Sequence, residues 1–549
     1  MRKKFSFCLM ILLLSYSSSL YTQILKEKAF PIEHVVIIVK ENRSFDHYFG
    51  KLKGVDGATT AKLSNGTEIP LKRAAKDIDG EKVKTGWGAS LTAVNNGAMD
   101  GFDKVPDMGM NETFCQQDSL DIPNYFIYAN TYAICDKFFG STNGSSFGNH
   151  LYMVAGQAGG AIGNPEPASI FEHLYPWGWA APEHIIVHRY HRNNNGEEIF
   201  DTGLPRYDFT TIVDKIKNKG LTWNEFCPVL KFRNVFLFNL MFGMNIKEEY
   251  KYSGFGAIKH IFESNEFKTN IHNIDQFQNV LKSQGLANYT FLSNTFSIPP
   301  IYESLYGTLA DQFLQPGITI PTTSEHPPLG PAEGEKFTVD IINAIMASEY
   351  WNKTAIFVTW DNYGGFYDHV PPPQIDDYGL GLRVPCLIIS PWVKKGVHSE
   401  VFEFGSINKF IKTIFNTDGF LSARDSLAND IISCFDFNQA PLPPKILPEG
   451  PTEVTDLLPL PDKIVLNQNF PNPFNSSTTI DFILPKAGNV TLKVYDLMGK
   501  EAATLINNTY MQAGYYPVKF QSNSLSSGTY IYRITLDGFA EEKKMVLLK

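Results

Sequence analysis

The sequence carries no excess of positive charge: 48 Lys and Arg stand against 57 Asp and Glu, a formal net charge of −9. A nucleic-acid binder needs a basic face to meet phosphates, so this balance argues against nucleic acid as a partner. A small phosphorylated ligand is met by a local site and stays open. Cysteine is scarce, with six in 549 residues. None stands in a CxxC or Cys/His spacing, which argues against a zinc cluster. Cys8 falls in the N-terminal leader; of Cys115, Cys135, Cys227, Cys386 and Cys434, Cys115 with Cys135 is a candidate disulfide, and the odd count leaves at least one thiol over. Long apolar runs are missing as well. No segment beyond the N-terminus is uninterrupted for the length a membrane helix requires, so no transmembrane segment is expected.

What is present begins with a leader. Arg2, Lys3 and Lys4 precede an apolar stretch from Phe5 to Leu14 and a run of small polar residues, Ser15 to Ser19. That order is the order of a secretory signal peptide, expected over residues 1–22, and it predicts a secreted, soluble mature protein. From residue 23 to 441, short apolar β-branched runs alternate with amphipathic stretches, as in an α/β layer fold. Val35–Val39, Ala355–Trp360 and Val384–Ser390 read as strands of a mostly parallel central sheet, buried on both faces. Val339–Tyr350 and Ser406–Phe415 read as helices. Residues 442–462 are dense in proline, which forbids regular structure and stiffens the chain into a linker. Residues 463–549 alternate in short segments (Thr478–Leu484, Asn489–Tyr495, Gly514–Phe520, Gly528–Leu536, Glu542–Leu548), the pattern of a small β-sandwich, expected to be Ig-like.

Four polar clusters sit at the ends of these elements, where α/β proteins place their sites. Glu41-Asn42 follows the first strand and Asp361-Asn362 follows the second. Each pair offers a carboxylate and an amide carbonyl, hard donors suited to one divalent cation, and two such strand ends side by side would supply four oxygens. Glu41-Asn42 taken alone also fits a turn with a helix cap. Gly140 to Tyr152 carries Ser145, Ser146 and Asn149 at the start of an apolar helix. A hydroxyl there meets free N–H groups and the positive end of the helix dipole, both favourable to a phosphoryl group, although serine also suits a plain N-cap. With its oxygen near a cation it becomes an activated nucleophile. Ser324-Glu325-His326-Pro327-Pro328 supplies a histidine able to protonate a leaving alkoxide.

The segments ENRSFDHYFG (41–50), WDNYGGFYDHVPPP (360–373), SEHPP (324–328) and LRVPCLIISPW (382–392) resemble the phosphoesterase family of bacterial phospholipases C and acid phosphatases, in order across residues 31–441. The resemblance implies an alkaline-phosphatase-like sandwich, one metal ion and a covalent phosphoenzyme. Carried over by position, it implies Glu41, Asn42, Asp361 and Asn362 as metal ligands, Ser146 as nucleophile with Ser145 one register away, Asn149 as a phosphate contact and His326 as the leaving-group acid. Three positions depart from the family pattern. Asn362 stands where a second acid is usual, His150 stands where many members have Arg, and no histidine lies near Trp87. The C-terminal segments, from Leu466-Asn467-Gln468-Asn469-Phe470-Pro471 through Val494-Tyr495-Asp496-Leu497-Met498-Gly499 to Ser527-Gly528-Thr529-Tyr530, resemble the sorting domain of the bacterial type IX secretion system. That implies a Gram-negative host, the type IX machinery as a partner and delivery to the cell surface or medium.

The expected function is therefore phospholipase C-type cleavage of a phosphodiester, such as a phospholipid headgroup linkage, through a phosphoserine. A phosphatase acting on monoesters is the alternative, and an inactive surface-binding protein the second. A sulfatase relying on formylglycine is disfavoured because no Cys-x-Pro-x-Arg segment is present.

Overall fold

The computed structural model describes residues 30–74, 82–167, 185–193, 195–231, 249–294, 322–447, 463–469, 472–522 and 525–549. The expected signal peptide and most of the proline-rich linker lie outside the described residues. The chain divides into two compact units, residues 1–447 and 448–549.

The first unit is built on an eight-stranded sheet. In chain order its strands are β1 (His34–Lys40), β2 (Ala133–Cys135), β3 (Trp223–Cys227), β4 (Ile271–Asn273), β5 (Tyr289–Ser293), β6 (Thr354–Trp360), β7 (Cys386–Ile389) and β8 (Gly396–His398). In space they run β4-β3-β5-β1-β6-β7-β2-β8. All neighbours are parallel except that β7 runs against both β6 and β2. The sheet is therefore mixed but mostly parallel, as expected. Every residue of β1 and β6 is buried, which is why their sequences read as unbroken apolar runs rather than alternating ones. The third expected strand is shorter than its apolar run: Pro385 has no N–H for the ladder, and pairing starts at Cys386.

Five helices position or brace the candidate site: α1 (Phe45–Phe49), α2 (Pro123–Thr131), α3 (Ser146–Ala155), α4 (Ala332–Met346) and α5 (Phe404–Ile414). The expected helices at 339–350 and 406–415 correspond to α4 and α5, the former starting seven residues earlier and stopping at Met346.

The second unit is all β. Strands β9 (Val465–Leu466), β10 (Ser477–Leu484) and β13 (Gly514–Gln521) form one sheet. Strands β11 (Gly488–Tyr495), β12 (Glu501–Met511), β14 (Gly528–Leu536) and β15 (Phe539–Leu547) form the other, ordered β12-β11-β14-β15. Both sheets feed one core containing Ile480, Phe482, Val490, Leu492, Ile534 and Leu547.

The candidate Cys115–Cys135 disulfide is not formed; the five described cysteines are free and buried. The two residues sit in different surroundings. The Cys115 thiol donates to the Glu112 carbonyl (3.1 Å) beside His47, whereas Cys135 lies in the central sheet directly across from Cys386.

Candidate active site

The register of the sheet brings two of the four clusters together. Lys40 pairs with Trp360 at the ends of β1 and β6, so Glu41 and Asp361 leave the sheet side by side. The Asp361 N–H donates to the Lys40 carbonyl (3.0 Å), and the Asn42 N–H donates to Asp361 Oδ1 (2.8 Å). Asn42 turns the chain with a left-handed φ of 60°, a conformation asparagine tolerates better than most residues. Gly364 lets the second turn pack against the first. Its φ is +69°, and a Cβ there would lie 2.2 Å from the Asn42 carbonyl oxygen. Glu41, Asn42, Asp361 and Asn362 are all buried.

The third cluster arrives on α3. The loop before it passes so close to Gly86 and Trp87 that a Cβ on Gly144 would lie 2.5 Å from their backbone. Ser145 occupies the N-cap position without capping, and its Oγ has no hydrogen-bond partner among the described residues. Ser146, the first residue of α3, donates from Oγ to Glu41 Oε2 (3.3 Å) and accepts from Asn362 Nδ2 (3.0 Å). One turn further along the same helix face, His150 places Nε2 3.5 Å from Glu41 Oε1. Asn149 is not brought to the hydroxyl. Its amide bonds to Thr142 N, Thr142 O and Ser145 O, so any contribution to phosphate binding runs through the loop it braces.

The electrostatics are those of crowded anions. Burial first, and the Glu41 charge second, push the Asp361 carboxyl up to about 7. Burial pushes the His150 imidazole down to about 4, against the pull of Asp361. Donor atoms of Glu41, His150 and Asp361 lie within 4.8 Å of one another, and the buried Asn42 Oδ1 has no hydrogen-bond partner among the described residues. The residues present fit a divalent cation. Asn362 is turned differently from the expected ligand: its Oδ1 accepts from the Gly364 N–H (2.9 Å), while its Nδ2 donates to Asp361 Oδ2 (2.8 Å) and to Ser146. Only an oxygen can meet the Gly364 N–H, which fixes the orientation of the amide.

The fourth cluster is anchored by a residue the sequence did not single out. The Glu41 N–H donates to the Ser324 carbonyl (3.1 Å), and the adjacent Glu325 is fully buried with a φ of 69°. Its carboxylate accepts from Tyr48 (2.7 Å), Tyr125 (2.6 Å) and Trp360 Nε1 (3.1 Å) and pairs with Lys40 Nζ at 3.3 Å. His326 is half-buried, with Nδ1 2.6 Å from the Pro327 carbonyl. Burial lowers its pKa to about 4. Among the described residues it makes no hydrogen bond to Glu41, Asn42, Ser146, Asp361 or Asn362.

A second acidic group, Asp46 and Asp368 with His369, is occupied by a cation of the chain itself. Arg383 bonds to Asp368 (2.8 Å) and Asp46 (3.2 Å), and its Nη1 donates to the Asp56 and Asp136 carbonyls (2.7 Å each). This knot ties α1 to the segment after β6. Arg43 does similar work nearby, donating to the Asn42 carbonyl (2.9 Å) and to Tyr48 (3.2 Å). The residues from Arg43 to Gly50 thus support the turn at Asn42 from outside.

Known proteins share this chain's pattern in both units. Residues 32–418 match the Phosphoesterase family, and residues 468–548 match the secretion system C-terminal sorting domain. The non-hemolytic phospholipase C of Burkholderia pseudomallei is 26% identical over 463 residues, 74% of this chain and 59% of that protein. The non-specific phospholipase C1 of Arabidopsis thaliana is 25% identical over 470 residues, 76% of this chain and 74% of that protein. The chain thus spans less than two thirds of the bacterial relative's length. Among solved structures, the phosphonate monoester hydrolase of Agrobacterium radiobacter aligns at a TM-score of 0.32 and 10% identity over 89% of each chain, too distant to carry an argument. No helix among the described residues is long and apolar enough to cross a membrane.

Proposed function

The chain belongs to the phosphoesterase family, and from that premise we propose that it is a metal-dependent hydrolase of phosphate esters, with phospholipase C-type cleavage of a phosphodiester as its reaction. The observation that carries the reading is the Ser146 hydroxyl, held between Glu41 and the Asn362 amide at the start of α3. A divalent ion held at Glu41, Asn42 and Asp361, with Asn362 alongside, would supply Lewis-acid stabilisation of phosphoryl oxygens and favour ionisation of the hydroxyl.

Ser146 Oγ is the nucleophile. It attacks phosphorus in line as its proton passes to the Glu41 carboxylate, a role supported by the 3.3 Å contact of Ser146 Oγ with Glu41 Oε2. The bond from phosphorus to the leaving oxygen breaks, and His326 gives that oxygen a proton. Water then attacks the phosphoserine and regenerates the hydroxyl. The positive end of the α3 dipole stabilises charge on the phosphoryl oxygens. Asn149 keeps the loop before the helix in place. In this reading the domain limits stand as residues 1–22 for a signal peptide, 23–441 for catalysis, 442–462 for the linker and 463–549 for sorting, with the type IX machinery carrying the enzyme to the surface or medium of a Gram-negative cell.

The test is a parallel assay of phosphorylcholine diesters and simple phosphomonoesters, before and after chelation. Faster turnover of the diester, lost on chelation and restored by metal, is expected. Preference for the monoester would move the reaction to a phosphatase, and activity unchanged by thorough chelation would refute the metal-dependent reading.

A further inference from the structure

We infer that His150 is a ligand of the metal ion in this chain, taking the place expected of Asn362, and that the site therefore selects a borderline transition ion over calcium or magnesium. The inference rests on the metal-dependent reading above and deepens it. Two independent observations carry it. The Asn362 amide turns its oxygen to the Gly364 N–H and its NH2 inward to Ser146 and Asp361, and an NH2 group is no metal donor. His150 sits one helical turn beyond Ser146 with Nε2 3.5 Å from Glu41 Oε1, and its donor lies within 4.8 Å of those of Glu41 and Asp361.

The resulting donors are two carboxylates and one imidazole, and Asn42, next in sequence to Glu41, adds a buried carbonyl oxygen that lacks a hydrogen-bond partner among the described residues. Carboxylate, carbonyl and water oxygens suit magnesium and calcium, whereas imidazole suits zinc, iron, nickel and copper. Replacing a second acid by Asn362 removes a negative charge from the site, and the neutral imidazole supplies a donor without restoring that charge. The same exchange frees Asn362 for a separate role, in which its NH2 orients the Ser146 hydroxyl.

The experiment uses the full chain stripped of metal and reloaded with Co2+, Zn2+, Ca2+ or Mg2+. Binding is followed by competition titration, and the Co2+ form is examined by proton NMR for a strongly shifted, solvent-exchangeable imidazole N–H. The expected result is stoichiometric binding of Co2+ and Zn2+ at least ~100-fold tighter than Ca2+, with that resonance present in wild type and in Asn362→Ala and absent in His150→Gln. Retention of the resonance in His150→Gln, its absence from metal-loaded wild type, preference for Ca2+ or Mg2+, or failure to bind Co2+ and Zn2+ each overturns the proposal. Should His150→Gln not fold, the wild-type spectrum and order of affinities decide, and both must be as stated. None of these readouts is hydrolysis, so a protein that binds Co2+ through His150 but cleaves no phosphate ester would leave this assignment standing and defeat the proposed function.

Discussion

Two adjacent serines begin α3, and their hydroxyls meet different surroundings. Ser146 touches Glu41 and Asn362, whereas Ser145 Oγ has no partner among the described residues. Ser146→Ala should cost about 10^4-fold or more in kcat/KM, and Ser145→Ala should cost little. Equal losses would place the nucleophile one residue earlier. His326 gives a second prediction, with a sign set by its pKa of about 4. An acid must be protonated to act, and the fraction protonated in the free enzyme falls as pH rises through 4. The ratio of kcat/KM for an ester with an alkyl leaving group to that for a p-nitrophenyl ester should therefore decline above about pH 4. The p-nitrophenol leaving group needs no proton, and in His326→Gln the ratio should lack that decline. At this scale the sequence was informative wherever residue type decides chemistry. Glu41, Asn42 and Asp361 stand out as candidates because acids and amides sit at strand ends, and a hydroxyl at the start of α3 because serine sits there, with Ser145 and Ser146 separated only by the family register. The i, i+4 spacing of Ser146 and His150 was a signal for His150 that went unread. The turn of the Asn362 amide was not legible, because it depends on a backbone N–H two residues away.

Elements are joined around Glu325. Its carboxylate ties Lys40 of β1, Tyr48 of α1, Tyr125 of α2 and Trp360 of β6. Tyr125 reaches on to Thr338 of α4 (3.1 Å). Glu325→Gln leaves Lys40 charged without its carboxylate and should lower unfolding stability by about 3–5 kcal/mol in chemical denaturation. Lys40→Met combined with Glu325→Gln should recover a large part of that loss, since the stranded charge is then gone. If the double variant is as unstable as the single, the ion pair is not what the carboxylate serves. Nothing in Ser324-Glu325-His326 announces this role: its four partners come from segments far apart in the chain. The strands themselves were legible because burial on both faces demands continuous apolar runs. The reversed direction of β7 was not, since pairing direction leaves no mark in a four-residue apolar strand. Strand β12 was missed for a different reason: as the outer strand of its sheet it is largely exposed and lacks the alternation that marked its neighbours.

Across the whole molecule, stability should depend on pH through carboxyls whose burial outweighs the pull of any nearby cation, as it outweighs that of Lys251 on Glu225. Glu225 on β3 is pushed up to about 8 by burial and keeps company with Ser253. Unfolded, the group loses its proton above about 4.5; folded, it holds that proton to about 8. The unfolded state therefore binds fewer protons across that window, and stability falls as pH rises through it. Glu225→Gln has no proton to lose. Its unfolding stability relative to wild type should grow by up to about 1.4 kcal/mol per pH unit between about pH 4.5 and 8, and flatten outside those limits. A constant difference across that range would show that Glu225 is ionised in the folded protein.

The donors gathered at the ends of β1 and β6 come from far apart in the chain. Asn42 and Asp361 are separated by 319 positions, and His150 lies between them on α3. An ion bound there closes two long loops at once, and loop closure of this length constrains the unfolded chain much as a covalent cross-bridge does. Metal capture is then a fastening step of the catalytic unit. Chelation should open it to proteases and lower its melting temperature whether or not any substrate is turned over.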